Sequence, residues 1–108
     1  TEAVAIMQYL ADQNPAMQLM PQKNSWEHYK ALEWLNFIAT EIHKGFSPLW
    51  KADNSDEVKA KAKDSLLKQI KYINSHLEKN NFILGNTYSI ADAYLFTVVN
   101  WAFFLKFV

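Results

Sequence analysis

The chain has 108 residues, of which 50% are hydrophobic and 15% aromatic, so it can build one core but is too short for two typical domains. Eleven basic and eleven acidic residues give a formal net charge of +0, which argues against nucleic acid or an anionic membrane as a partner. Cysteine is absent, which excludes disulfides and a thiol nucleophile within the chain and favours a reducing compartment such as the cytoplasm. Two glycines and three prolines are too few for a many-turned β fold, so an all-α fold is predicted.

The first predicted element is a short amphipathic helix over residues 2–13, which Pro15 ends. Its apolar face is formed by Val4, Ile6, Met7 and Leu10. Residues 14–23 contain two prolines and predict an extended connector. We therefore divide the chain into a leading helix (1–13), a connector (14–23) and a helical domain (24–108), and any domain boundary is expected at the connector.

The second predicted helix is long and begins at Asn24 or Ser25, because Asn24 with Glu27 three residues later has the spacing of a capping box. Its apolar stripe consists of Leu35, Ile38, Ile42, Phe46 and Leu49. A more polar stripe lies beside it and consists of Asn36, Thr40, His43 and Ser47. Gly45 and Pro48 predict a kink or an end near residue 46.

The third predicted helix follows the possible caps at residues 53–55 and runs to Leu77. Its apolar positions are Val58, Ala62, Leu66, Ile70, Ile73 and Leu77. Five lysines lie on the remaining surface, but Glu57, Asp64 and Glu78 are interspersed with them. A solvated face is therefore expected there rather than a nucleic-acid site.

The fourth predicted helix follows a loop with Gly85 and begins at a capping box formed by Ser89 and Asp92. From Ile90 onward nearly every side of the helix is apolar, which predicts a position in the middle of a bundle. The apolar run over residues 93–105 is shorter than the roughly 20 residues of a membrane span. We therefore expect four main helices, with this one the most buried.

Three stretches of the sequence go beyond a generic helical bundle. Residues 85–92 (GNTYSIAD) are similar to the loop and capping box that start the buried helix of the glutathione transferase C-terminal domain. Residues 40–49 (TEIHKGFSPL) are similar to the corresponding stretch of bacterial beta-class enzymes. Residues 1–10 (TEAVAIMQYL) resemble the Glu-Ser-x-Ala-Ile helix that closes the family's thioredoxin-like N-terminal domain. The resemblance spans essentially the whole chain, and it implies a helical bundle truncated at both ends.

The resemblance implies roles for the two ends of a glutathione site. Glu2 is expected to receive the ammonium of the γ-glutamyl group, and Ala3, where the family usually has serine, keeps only the backbone N–H for the carboxylate. His43 and Lys44 are expected beside the thiol, where a donor or a cation favours the thiolate. The alternative for Glu2 is that its charge only stabilises the positive end of the helix dipole. The alternative for His43 is that it is an ordinary surface histidine.

Further roles follow from the same resemblance. Asn36 is expected to reach glutathione bound in the neighbouring subunit, and its alternative is a solvent-facing amide. Phe46 and Trp101 are expected to line the hydrophobic co-substrate pocket, although by default these two and Tyr94 are core residues. Ser89 and Asp92 are expected to serve folding rather than catalysis. Because the chain has no cysteine and no paired histidines at ligand spacing, no metal site is predicted.

The function implied by the resemblance is that of a glutathione transferase. The parent enzyme would join the thiolate of glutathione to small electrophilic substrates in detoxification, or do thiol-disulfide chemistry, as a homodimer in the cytoplasm. The chain itself is expected to be an inactive fragment, because the catalytic N-terminal segment would precede Thr1 and the last helices would follow Val108. The alternative is a non-catalytic protein-interaction module of the same fold.

Overall fold

The computed structural model describes residues 1–107, and within that range the regular structure is helical apart from one isolated antiparallel bridge between Phe82 and Gly85. The α-helices are α1 (Ala3–Gln13), α2 (Trp26–Phe37), α3 (Ser47–Trp50), α4 (Asp56–Leu77), α5 (Ile90–Val99) and α6 (Trp101–Phe104). The predicted all-α fold is therefore confirmed.

A change of helix type joins α2 to α3. A π-helical segment, Ile38–His43, and a 3-10 turn, Lys44–Phe46, connect them without a break, so the chain is helical from Trp26 to Trp50. The expected irregularity thus begins eight residues before Phe46. The helix does not end at Pro48, because this residue lies in the first turn of α3, where proline is tolerated. Residues 26–50 therefore form one continuous helical segment, the rod, whose middle is π-helical and 3-10 helical rather than α-helical.

Two details at helix starts differ from the sequence prediction. The N-cap of α2 is Ser25, whose Oγ accepts a hydrogen bond from the backbone N–H of His28 at 3.1 Å. The predicted capping box of Asn24 and Glu27 is wrong, because Asn24 has a φ of 66° whereas an N-cap residue has extended backbone. The first helix begins at Ala3, with Glu2 as its N-cap residue.

The connector is less extended than predicted. It contains a 3-10 turn, Pro15–Met17, which Gln18 ends in the left-handed conformation. The backbone carbonyl of Leu19 accepts a hydrogen bond from Ile90 N at 2.9 Å, and Lys23 pairs with Asp12 at 3.3 Å. The connector is therefore joined to the start of α5 by a hydrogen bond and to the end of α1 by an ion pair.

The core lies between the long rod, α4 and α5. Five side chains of α5 are buried, more than in any other helix: Ile90, Ala91, Tyr94, Leu95 and Val98. The rod contributes its predicted apolar stripe, of which Leu35, Ile38, Ile42 and Phe46 are 0% exposed. A Cβ added to Gly45 would lie 2.8 Å from Cδ2 of Leu66, so glycine permits the close approach of α4 to the rod.

The opposite side of α5 and α6 is apolar and exposed. Phe96, Phe103 and Phe104 are 75%, 67% and 73% exposed, respectively. The prediction that α5 is the most buried helix is confirmed by its five buried side chains, although its other face exposes Phe96. None of the helices within residues 1–107 combines the length and the apolar character that crossing a membrane requires.

Candidate functional site

A groove of about 250 Å³ lies where the start of α1, the π-helical segment and the middle of α5 meet. Its lining consists of Glu2, Ala3, Val4, Ala39, His43, Lys44, Ser47 and Tyr94. Four residues selected from the sequence, Glu2, Ala3, His43 and Lys44, therefore come together from two distant parts of the chain. Asn36, Phe46 and Trp101 are not among the lining residues.

The α1 end of the groove combines a carboxylate with the start of a helix. Glu2 is exposed, and its side chain makes no capping hydrogen bond to the first turn. The first N–H groups of a helix have no partner within the helix, and they form the positive end of its dipole. A cation can therefore bind Glu2 while an anion binds the neighbouring N–H of Ala3.

The other end of the groove is formed by His43, the last residue of the π-helical segment. Its Nδ1 lies 2.6 Å from the hydroxyl oxygen of Tyr94, a hydrogen bond between positions 51 residues apart. The imidazole also meets the rings of Tyr94 and Trp101 edge to face, with centroids 5.7 and 5.0 Å away. His43 is half-buried and its ring is held on two sides, whereas Lys44 beside it is exposed.

The acidity of Tyr94 is altered by this environment. Burial raises the pKa of its phenol above the ordinary value of 10.0, and the negative charge of Glu2 raises it further. The phenol therefore keeps its proton at neutral pH. From the sequence Tyr94 is expected only in the core, and its place in the groove is not predicted. The available signal was that a buried tyrosine hydroxyl usually requires a hydrogen-bond partner.

Three of the predicted contact residues lie elsewhere. Asn36 is exposed, and its Nδ2 donates to the carbonyl of Leu32 at 2.9 Å. Phe46 is 0% exposed, which favours its default interpretation as a core residue over a place in a co-substrate pocket. Trp101 is partly exposed and packs edge to face on Phe46 and Trp50, in each case with centroids 5.7 Å apart.

The predicted capping box forms at the start of α5. Oγ of Ser89 accepts from Ala91 N at 3.2 Å, and Oδ2 of Asp92 accepts from Ser89 N at 2.9 Å. The second carboxylate oxygen, Oδ1, accepts from Ile83 N at 2.8 Å. Asp92 therefore also fixes the preceding loop to α5. Neither capping residue lines the groove.

A larger cavity of about 660 Å³ lies beside the connector, and another of about 400 Å³ lies between α2 and α4. The larger one is lined in part by Ser89, but neither contains Glu2, Ala3, Asn36, His43 or Lys44. Across residues 1–107 no three histidine, aspartate or glutamate side chains are grouped to hold a metal ion. The groove is thus where the selected polar residues converge.

Comparison with known proteins gives related sequences and structures. A sequence model of the family described as "Glutathione S-transferase, C-terminal domain" matches residues 37–108. Glutathione S-transferase GstA of Escherichia coli O157:H7 is 51% identical over 106 residues, which cover 98% of this chain and 53% of that protein. The chain spans about half the length of the curated relatives it matches.

Two solved structures are similar over nearly the whole chain. A sphingomonad glutathione S-transferase complexed with glutathione is 38% identical with a TM-score of 0.93, and the match covers 97% of this chain and 52% of that one. The bacterial beta-class glutathione S-transferase of Sphingomonas chungbukensis is 33% identical with a TM-score of 0.92, at the same coverage of both chains.

Proposed function

The chain belongs to the family of glutathione S-transferase C-terminal domains, which confirms the resemblance seen in its sequence, and from this premise we propose an activity for the whole protein. The protein joins the thiolate of glutathione to small electrophiles, or does glutathione-dependent thiol chemistry. The observation that carries this proposal is the groove in which Glu2, the start of α1, His43 and Lys44 converge.

The α1 end of the groove suits the γ-glutamyl group of glutathione. That group carries an ammonium and a carboxylate on one carbon, and the groove offers the Glu2 carboxylate next to the N–H of Ala3. Hydrogen bonds to charged groups contribute about 1.5–3 kcal/mol each. With alanine at position 3 the carboxylate of the ligand is held through the backbone, without the side-chain hydroxyl that the family motif usually supplies.

The His43 end suits the thiol. A thiol with an ordinary pKa of about 8.5 is a few per cent ionised at pH 7, and each unit by which a donor or cation lowers that pKa stabilises the thiolate by about 1.36 kcal/mol. His43 supplies a donor and Lys44 a positive charge. Residues 1–108 contain no cysteine, so none of them supplies a thiol, and the nucleophile in this proposal is the thiolate of the bound glutathione.

The remaining assignments complete this proposal. Residues 1–13 are the last helix of a thioredoxin-like domain, residues 14–23 connect the domains, and residues 24–108 belong to the helical domain. The protein acts in the cytoplasm, in detoxification, as a homodimer. Asn36 reaches glutathione in the neighbouring subunit, in agreement with its exposure, and Trp101 lines the pocket for the electrophile.

The full-length protein, with the domain that the longer relatives contain, tests this function. We expect it to bind glutathione and to conjugate it to a chlorodinitroarene. Glu2→Gln should weaken glutathione binding about tenfold, which corresponds to about 1.4 kcal/mol. The matched control is Glu41→Gln, the same substitution at an exposed glutamate of the rod that does not line the groove. It should leave glutathione binding unchanged.

Two results would contradict the proposal. Equal effects of Glu2→Gln and Glu41→Gln on the glutathione dissociation constant would remove the groove as the γ-glutamyl site. A folded full-length protein that neither conjugates glutathione nor reduces mixed disulfides with it would favour the non-catalytic interaction module.

A further inference from the structure

We propose that Tyr94 is a positioning residue for His43: its hydroxyl donates to Nδ1 and holds the neutral ring in the tautomer that carries its proton on Nε2. This inference deepens the proposed function and rests on it for its catalytic consequence, because His43 serves there as the donor beside the thiol. The tautomer itself is a property of the protein without any ligand.

The geometry of the pair is specific. The Nδ1 to hydroxyl distance of 2.6 Å is short for a neutral hydrogen bond, and the two residues lie on different elements, the π-helical segment and α5. The imidazole ring also packs against the Trp101 ring in a T-shaped contact. Tyr94 is 6% exposed, so most of its ring is fixed in the core, and the part that remains accessible lines the groove. The orientation of the His43 ring is therefore set by its contacts with Tyr94 and Trp101.

The direction of the hydrogen bond follows from the needs of the buried hydroxyl. Within residues 1–107 the Tyr94 hydroxyl has no partner besides Nδ1 of His43. If Nδ1 carried the proton and donated, the phenolic proton would have no protein acceptor within these residues and would depend on water in the groove. A buried donor that is left unsatisfied costs about 1–3 kcal/mol, so donation to Nδ1 is favoured. The raised pKa of Tyr94 keeps the phenol protonated, so a proton is available to donate.

The consequence for His43 concerns its second nitrogen. A neutral imidazole has one donor and one acceptor nitrogen, and the partner of one determines the role of the other. With Nδ1 accepting from Tyr94, Nε2 carries the proton and can donate to a sulfur anion. The other charged groups that line the groove, Glu2 and Lys44, belong to α1 and the rod, respectively. Neither makes a hydrogen bond to the His43 ring within the described residues.

The first test reads the tautomer directly in the full-length protein labelled with 15N-histidine. Two-bond 15N–1H correlation spectra at about pH 8, above the ordinary histidine pKa of about 6.5, identify the protonated nitrogen, and His43→Gln assigns the signal. We expect the Nε2–H tautomer in the wild type and a mixture of both tautomers in Tyr94→Phe. A wild-type ring protonated on Nδ1, or an unchanged tautomer in Tyr94→Phe, overturns the proposal. The wild-type measurement requires no variant to fold.

The second test measures conjugation kinetics in the same protein. Tyr94→Phe should lower kcat about tenfold and leave the KM for glutathione within about twofold, because it alters the donor and not the γ-glutamyl contacts. Tyr88→Phe, which also loses one hydroxyl but lies on an exposed loop, should leave both constants unchanged. In a His43→Ala background Tyr94→Phe should have no further effect, since its action requires the imidazole. The positioning role is overturned if Tyr94→Phe alone leaves kcat unchanged. It is also overturned if Tyr94→Phe lowers kcat a full tenfold in the His43→Ala protein.

These outcomes separate the inference from the proposed function. If His43→Ala retains full activity, the proposed role of His43 at the thiol fails, while the NMR spectra still decide the tautomer. If His43→Ala is impaired and Tyr94→Phe changes neither tautomer nor kcat, the function stands and the inference fails.

Discussion

The carboxylate of Asp92 should be a major determinant of stability, and Asp92→Ala tests this role. Its two oxygens accept hydrogen bonds from the backbone N–H groups of Ser89 at 2.9 Å and Ile83 at 2.8 Å. Ser89 and Ile83 are 2% and 1% exposed, so water cannot readily replace the lost acceptor. Each unsatisfied buried N–H costs about 1–3 kcal/mol, so the two together predict a loss of about 2–6 kcal/mol in the free energy of unfolding.

The assay is thermal unfolding of the full-length protein followed by circular dichroism, together with calorimetric titration of glutathione at a temperature where the variant is folded. For a protein of about 200 residues a loss of 1 kcal/mol lowers the Tm by about 2–4 °C, so a decrease of roughly 4–24 °C is expected. The glutathione affinity should stay nearly unchanged, because Asp92 does not line the groove. Asp64→Ala on the exposed face of α4 is the matched control, with an expected change within about 0.5 kcal/mol.

Two results would refute this reasoning. A Tm of Asp92→Ala within about 1 °C of the wild type would mean that the two backbone N–H groups find other partners at little cost. A large loss of glutathione affinity without destabilisation would mean that Asp92 acts in the site and not in folding.

Two further predictions concern pH and association. Because the pKa of Tyr94 is raised above 10.0 in the folded state, its stabilising effect is complete below that pH and is lost as the pH rises through the folded pKa. Urea unfolding from about pH 8 to about pH 11 should therefore show a steeper decline for the wild type than for Tyr94→Phe, and parallel declines would contradict this. The chain of 108 residues alone should self-associate through its exposed phenylalanines, Phe96, Phe103 and Phe104, which sedimentation can test. It should also bind glutathione poorly, which calorimetric titration can test. Phe96→Ser combined with Phe104→Ser should shift it toward monomer, and a monodisperse wild-type monomer or micromolar glutathione binding would refute the prediction.

The parts of the fold that depend on local interactions were predictable from the sequence. The start of α4 after Ser55 and its end at Leu77 follow from a side-chain cap and an apolar period of three to four residues, and the structure has both. The capping box of Ser89 and Asp92 spans four residues and forms as expected. Such features need no knowledge of the rest of the chain.

Features that depend on tertiary contacts were not predictable in this way. The pairing of His43 with Tyr94 joins positions 51 residues apart, and no period along a helix relates them. The second bond of the Asp92 carboxylate, to Ile83 N, depends on how the preceding loop folds back onto α5. One local feature was not predictable either: Asn24 and Ser25 could each cap the helix, and the left-handed backbone of Asn24 leaves Ser25 as the N-cap.

The groove itself shows how periodicity and resemblance complement each other. The periodicity of the rod assigned Phe46 to the apolar stripe and His43 to the polar one, and the burial of Phe46 and partial exposure of His43 agree with that assignment. The resemblance to glutathione transferases assigned both His43 and Phe46 to a ligand site. The burial of Phe46 argues against its direct contact with any ligand. For Glu2, however, periodicity offers only a helix start, and its convergence with His43 depends on α1 packing against α5. A residue type carried over from a family therefore becomes a site hypothesis only where its side chain is also accessible.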